Sequence, residues 1–404
     1  MKHVSIFIIA LLTLISCRNK DNSNMRNSDI ETISVFEHYS DKKFFSSFVD
    51  TIELIPLETA DDNLIGEITR IVFHDKKYYI RSTNSMQNGK LFVFDETGRY
   101  IKRIGKNGNG PGEYVNFYDF AITNDNHIVV ADYHRLLHFD SEGRFLNSIK
   151  MNFSAAEIVS SHDNEIIASL VLPTLFQNHL LSKIDKEGNQ ELFFNRGETA
   201  AIKCNLLRTW RSFMSTGSYH YLKYPFGDTI FSISQDLKKI SPSYYIDYGE
   251  KKLSNIEIAS DENVLTWEKK LKKLDDYWET ASIGVGENFT YLGITDKAFN
   301  GYLTLYSHRT KKSFSARKLV DDMYLQGNII PITAKRIPHN MDGNDIIWEI
   351  DPKILLEGHK QYMKNLSEPK REEFKQKYPE WERICTSLKE EDNPVLLRIK
   401  IKQF

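Results

Sequence analysis

The chemistry-bearing residues of this chain are few and scattered. His134 and His138 stand four apart at the start of a strand-like stretch, where the period is two, so they share a face and could share a metal ion. Asp132 is the one carboxylate at matching phase, which leaves the set short of the ligands a metal centre uses. Gly105, Gly108, Gly110 and Gly112 invite a phosphate-loop reading. Such a loop needs its glycines at a helix N-terminus, whereas here strands lie on both sides and Pro111 interrupts the run. A crossover between strands is the plainer reading. Met341-Asp342-Gly343-Asn344-Asp345 lacks the alternating acids of a calcium loop and reads as a hairpin turn. There is no HExxH, GxSxG, CxxC or Walker motif. The residues therefore predict no catalytic group, no metal and no cofactor.

The elements that must position these residues are strands in a repeat. Phe94-Asp95-Glu96-Thr97-Gly98, Phe139-Asp140-Ser141-Glu142-Gly143 and Ile184-Asp185-Lys186-Glu187-Gly188 align without gaps, and both intervals between their aspartates are 45 residues. Asp opens a turn and Gly supplies the positive φ that closes it. A period of about 40–45 residues, with several short strands per unit, is the signature of a β-propeller. The strands group into six units, so the fold class is all-β, a six-bladed β-propeller with helical insertions in the fifth and sixth blades, about 255–280 and 351–390. The first insertion rests on the helical stripe Val264, Trp267, Leu271, Leu274 and Trp278, the second on Phe374, Tyr378, Trp381, Cys385 and Leu388. The sixth blade is assembled from Ile329–Ala334, Ile346–Ile350 and Val395–Ile401, with Ile52–Leu57 supplying the strand that closes the ring. Pro56 cannot donate to a ladder, which assigns that strand to the outside of its blade.

Strand 2–3 turns and blade crossovers share one rim of a propeller. That rim is predicted to carry Arg81, Tyr133, His134, Arg135, Phe226 and Asp228, with Arg208 and Trp210 near an inner-strand start. Arg and aromatic residues are typical interface anchors. Each also has a structural reading: Trp210 as core, Arg135 as an ion pair stapling a blade. The sixth-blade helices belong on the same rim by topology. The fifth-blade helix, with Lys269, Lys270, Lys272 and Lys273, either packs on its own blade or flanks a partner groove. The alternative to a binding scaffold is a lactonase or esterase with a metal in the central channel, for which Glu113, Asn116, Asp119, Asp132 and Asp228 are available.

Composition bounds the partners. The 404 residues carry 53 Lys+Arg against 55 Asp+Glu, a net charge of −2, which excludes binding nucleic acid by bulk charge. At 41% hydrophobic and 27% charged the chain is globular, and 20 Tyr with 24 Phe lean it toward strands. Residues 1–16 read as a signal peptide, with an apolar run from Val4 to Ile15 too short to span a bilayer. That run ends Leu14-Ile15-Ser16-Cys17, which resembles the bacterial lipobox. Cys17 would then take a diacylglycerol, and residues 17–45 would tether the propeller, 46–404, to a membrane of the cell envelope. A monomer is expected. Cys204 and Cys385 are read as buried free thiols.

IKRIGKNGNGPGEY at Ile101–Tyr114 resembles an NHL-like repeat. With the opening IELIPLETADDNLIGEI, GDTIF at Gly227–Phe231 and the closing DNPVLLRIKIK, the chain resembles the six-bladed β-propeller lipoproteins of Bacteroidetes. The resemblance spans nearly all of the mature chain. It implies a propeller in the cell envelope, of the outer membrane, binding a protein, peptide or glycan. It carries no catalytic residue across.

Overall fold

The aspartates of the 45-residue repeat close their turns with their own side chains. Asp95 Oδ1 accepts the amides of Thr97 and Arg99 at 2.9 and 3.0 Å, Asp140 Oδ1 those of Glu142 and Arg144 at 2.9 Å, and Asp185 Oδ1 that of Asn189 at 2.8 Å. Gly98, Gly143 and Gly188 follow at φ +88°, +79° and +89°, the region only glycine enters freely. Each turn joins the third and fourth strands of a blade.

The computed structural model describes residues 30–84, 89–171, 173–195, 213–224, 227–252, 269–270, 273–274, 277–298, 300–324, 328–331, 340–342 and 345–404. Six antiparallel sheets stand side by side as the blades of a six-bladed β-propeller. Blade 1 is Glu67–His74, Lys77–Thr83, Gly89–Asp95 and Tyr100–Ile104; blade 2 is Phe117–Ile122, Ile128–Asp132, Arg135–Phe139 and Phe145–Lys150. Blade 3 is Ala155–Ser160, Ile166–Leu170, His179–Ile184 and Gln190–Asn195; blade 4 is Phe213–Thr216, Tyr219–Leu222, Thr229–Ser234 and Ile240–Asp247. Blade 5 is Trp278–Val285, Phe289–Asp296, Gly301–Ser307 and Ser313–Asp321; blade 6 holds Asn340–Asp342, Asp345–Ile350 and Val395–Ile401. The first strand of each blade is the inner one. In blades 1, 2, 3 and 5 it bulges near its start, between Ile68 and Arg70, Phe117 and Asp119, Ala155 and Glu157, and Thr280 and Ser282.

The segment before blade 1 differs from the expected tether. Within residues 31–44, Glu31–Ser34 and Tyr39–Phe44 are strands joined by a turn, not linker. β1 (Glu31–Ser34) adds in parallel to Ile240–Asp247 of blade 4, and β2 (Tyr39–Phe44) adds in parallel to Ser313–Asp321 of blade 5. β3 (Val49–Pro56) then pairs antiparallel with Val395–Ile401 and is the outer strand of blade 6. The physical reason is burial: Ile33 and Val35 are fully covered, and Phe45 and Phe48 nearly so. Four apolar side chains in a polar-looking stretch are enough to hold it on the blade edges.

Two further differences concern blades 5 and 6. Trp278, read as the end of a helix, opens the inner strand of blade 5; it stacks on Tyr302 with centroids 4.2 Å apart. Val264, Trp267, Leu271 and Lys272 lie outside the described residues. Asn328–Pro331 pairs with Ser313–Asp321 of blade 5, so the inner strand of blade 6 is Asn340–Asp342 instead. Between the second and third strands of blade 6 lie α1 (Pro352–Asn365), α2 (Glu368–Lys377) and α3 (Pro379–Ser387). Asp351 Oδ1 caps α1 by accepting the Lys353 amide at 2.8 Å. Leu355, Phe374, Trp381, Ile384 and Cys385 join one core with Ile52, Leu54 and Leu397. Trp381 stacks on Tyr324 at 4.5 Å and 7°, so it serves packing and not a groove. Cys385 is a free, buried thiol whose pKa burial pushes up to about 12; Cys204 lies outside the described residues.

Candidate functional site

The glycine run is the crossover from blade 1 to blade 2. Lys106–Asn107 pairs in parallel with Glu113–Tyr114, and the Glu113 carboxylate accepts the Gly110 amide at 2.9 Å. Gly105, at φ +61°, sits where a Cβ would meet the Tyr114 ring at 2.7 Å. The crossover delivers Val115 and Asn116 to the rim, where Asp132 Oδ1 accepts their amides at 3.1 and 2.7 Å. The other Asp132 oxygen takes the Arg135 Nε at 2.8 Å, and Arg135 also donates to the Glu113 carbonyl at 3.0 Å. Arg135 is thus a staple between crossover and hairpin.

Tyr133 and His134 form the two-residue turn between the second and third strands of blade 2. Tyr133 has φ +46° and is 51% exposed; its ring meets that of His134 edge-on at 4.1 Å. A cavity of about 570 Å³ opens here, bounded by Asn109, Val115, Asn116, the turn from Asp132 to Arg135, Ser148 and Lys150. Three predicted rim residues, Tyr133, His134 and Arg135, are therefore brought together. Arg81 lies beside them but is engaged: it donates to the Phe117 carbonyl at 2.5 Å and to the Thr69 hydroxyl, with its guanidinium over the Phe117 ring. Asp228 stands apart on blade 4, ion-paired with Lys252 at 2.7 Å. Cys17, Arg208, Trp210 and Phe226 lie outside the described residues.

A second cavity, about 560 Å³, occupies the channel at the opposite ends of the inner strands, with Arg70, Asn124, Glu157, His162 and Ser215 in its wall. Sequence reasoning missed its structure. Arg70 of blade 1 reaches the Asp119 carboxylate of blade 2 and the Ile158 carbonyl of blade 3, and Asp119 accepts the Ile158 amide at 2.8 Å. Between blades 4 and 5, fully buried Lys223 pairs with Glu279 and donates to the Thr280 carbonyl at 3.2 Å. Burial pulls the Lys223 pKa down while Glu279 opposes it. Neither pair has a local signature, since the partners are 49 and 56 residues apart.

The acids available for a channel metal are each otherwise engaged: Glu113 with Lys106, Asp119 with Arg70, Asp132 with Arg135, Asp228 with Lys252. Among the described residues no three His, Cys, Asp or Glu side chains converge. His134 lies in the turn, whereas His138 is mid-strand and half-buried, its pKa pushed down to about 4 by desolvation and then by the His127 charge. His220 Nδ1 and Ser215 Oγ lie 2.6 Å apart across a hairpin, and burial lowers the His220 pKa to about 4.

A family model described as Domain of unknown function (DUF4934) matches residues 30–400. The chain belongs to the DUF4934 family. Its matched span takes in β1 and β2, which are therefore part of the DUF4934 domain. No curated protein matches the sequence. Among solved structures, a protein of Bacteroides fragilis described as exported is 17% identical at a TM-score of 0.68, covering 93% of this chain and 100% of its own. A DUF4221 family member from Bacteroides vulgatus is 11% identical at a TM-score of 0.51, covering 88% and 98%. At these identities the likeness is one of fold.

Proposed function

We propose that this DUF4934 chain is a lipid-anchored envelope propeller that binds a partner, without catalysis, at the rim of blade 2. The observation that carries the reading is the open cavity beside Tyr133, a large aromatic held exposed at positive φ where glycine would be unstrained. Such a residue costs the fold roughly 1–2 kcal/mol, and burial does not repay it. The lipobox-like Leu14-Ile15-Ser16-Cys17 and the exported Bacteroides fragilis protein of like fold support the address. Among the described residues no helix is long and apolar enough to cross a membrane.

The test is capture from detergent-solubilised envelope extract by the full chain. Partner capture should fall at least tenfold for Tyr133→Gly and be unchanged for Tyr219→Ala, an exposed tyrosine on blade 4. Equal capture by both variants would reject the rim. In parallel, Cys17→Ala should leave the membrane fraction, and its retention there would reject lipidation.

A further inference from the structure

Tyr133 is not alone on its rim. The bulge near the start of each inner strand leaves one residue unpaired, and in blades 1, 2, 3 and 5 these residues are Thr69, Tyr118, Ala156 and Ala281. Bulges re-aim side chains, and only in blade 2 of these four does the bulge present a large one. Tyr118 is 39% exposed, and burial, then the charges of Tyr133 and Asp132, raise its pKa. The strand pairing puts both tyrosines on one rim, since Phe117 lies opposite Asp132 and the Tyr133 amide donates to the Asn116 carbonyl at 3.3 Å. Two separate backbone irregularities thus offer two aromatic faces to one rim.

The polar lining selects the ligand. The side chains of Asn109, Asn116 and Ser148 border the cavity and make no hydrogen bond among the described residues. Each amide brings two donors and an acceptor, and the hydroxyl one donor and two acceptors. Charge is largely spent: Arg135 is neutralised by Asp132, leaving Lys150 as the lining cation without an ion pair among the described residues. A phosphate ligand calls for converging cations, which this wall lacks. An extended peptide calls for a free strand edge, and the strands beside the turn are paired on both sides. A pyranose fits both halves of the site. Its C–H-rich face packs on the electron-rich face of an aromatic ring, and its hydroxyls need mixed donors and acceptors. The volume of about 570 Å³ lies within the range of small-ligand pockets.

We infer that the blade 2 rim is a saccharide site, in which the Tyr133 ring is the stacking face, Asn109, Asn116 and Ser148 pair with the hydroxyls of a neutral sugar, and the exposed Tyr118 ring, on the same rim but outside the cavity wall, gives a second face to an oligosaccharide. This rests on the rim reading above and narrows it to one ligand class. The test presents the full chain in detergent to one slide carrying neutral oligosaccharides, their sulfated and uronic-acid counterparts, and short peptides. Neutral oligosaccharides should be retained. Tyr133→Gly and Tyr118→Ala should each weaken retention at least tenfold, and Asn116→Ala at least threefold, with Tyr219→Ala unchanged. Tyr133→Gly relieves the positive φ, so its melting temperature should equal or exceed the parent's, which separates lost binding from lost folding. Retention of peptides or of charged saccharides alone, still dependent on Tyr133, would overturn the neutral-sugar assignment and leave the rim standing. Retention insensitive to both tyrosines, or no retention, would overturn the saccharide site; the rim itself then stands or falls on the capture experiment.

Discussion

At the scale of single residues, backbone freedom is used for two opposite ends. Gly98 sits at positive φ in its turn, a Cβ there would lie 2.1 Å from the Pro56 carbonyl oxygen of β3, and its own carbonyl accepts the Glu58 amide at 2.8 Å. The turn of blade 1 is thereby seated on the closing strand of blade 6. Gly217 is also at positive φ, +54°, with open space around it. Gly98→Ala should therefore cost about 2–4 kcal/mol, the φ penalty plus a backbone clash, while Gly217→Ala should cost only about 1 kcal/mol. Urea denaturation of the two variants reads the difference, and equal losses would show that β3 yields to the added methyl. Tyr133 spends the same conformational freedom differently, holding a ring in solvent at a position where a glycine would be cheaper.

Between elements, the ring is tied by buried charge as well as by apolar packing. Lys223 and Glu279 link blades 4 and 5, and the hydroxyl of Tyr248 meets that of Thr280 beside them at 2.6 Å. Removing one partner strands a charge without water. Glu279→Ala should destabilise the chain by about 3–5 kcal/mol, whereas the double change Lys223→Met with Glu279→Leu should recover most of that loss. A thermodynamic cycle over the single and double variants measures the coupling. A double variant no more stable than Glu279→Ala would mean that the loss comes from disturbed packing and not from an uncompensated ammonium. The Arg70 link across blades 1, 2 and 3 differs in kind, because Arg70 also faces the channel cavity and keeps some access to water.

For the whole molecule, the N-terminal segment is a belt that visits three blades in succession. β1 and β2 extend blades 4 and 5, whereas β3 completes blade 6 and closes the ring. These contributions should separate on truncation. Removal through Phe44 uncovers Ile33-side and blade-edge surface and should lower stability by about 3–5 kcal/mol while leaving one cooperative transition. Removal through Leu57 takes away the outer strand of blade 6 and exposes the edge of Val395–Ile401, so cooperative melting should be lost. Calorimetry of the two truncations decides it; if both melt alike, the belt acts as one unit and β3 has no special role in closure.

Much of the architecture is legible in the amino-acid sequence. Phe94–Gly98 and its two echoes set the repeat because an Asp side chain and a positive-φ Gly close a turn by local chemistry alone, and six all-β blades follow from their spacing. The crossover nature of the glycine run was legible for the same reason, since Pro111 and the flanking strands are local facts. What tertiary structure alone decided is non-local. Glu31–Phe44 carries no strong strand pattern, and its two ends become β1 and β2 because the open edges of blades 4 and 5 supply main-chain partners that leave no mark on its sequence. Trp278 fits a helical stripe as well as it fits a strand, and only Tyr302 and the paired Phe289–Asp296 choose between them. Arg70 and Asp119 meet, and Tyr118 and Tyr133 share a rim, because a bulge and a hairpin bring separated positions to one rim or channel wall. Spacing along a chain records which turn a residue can make, and not which side chain of another strand it will face.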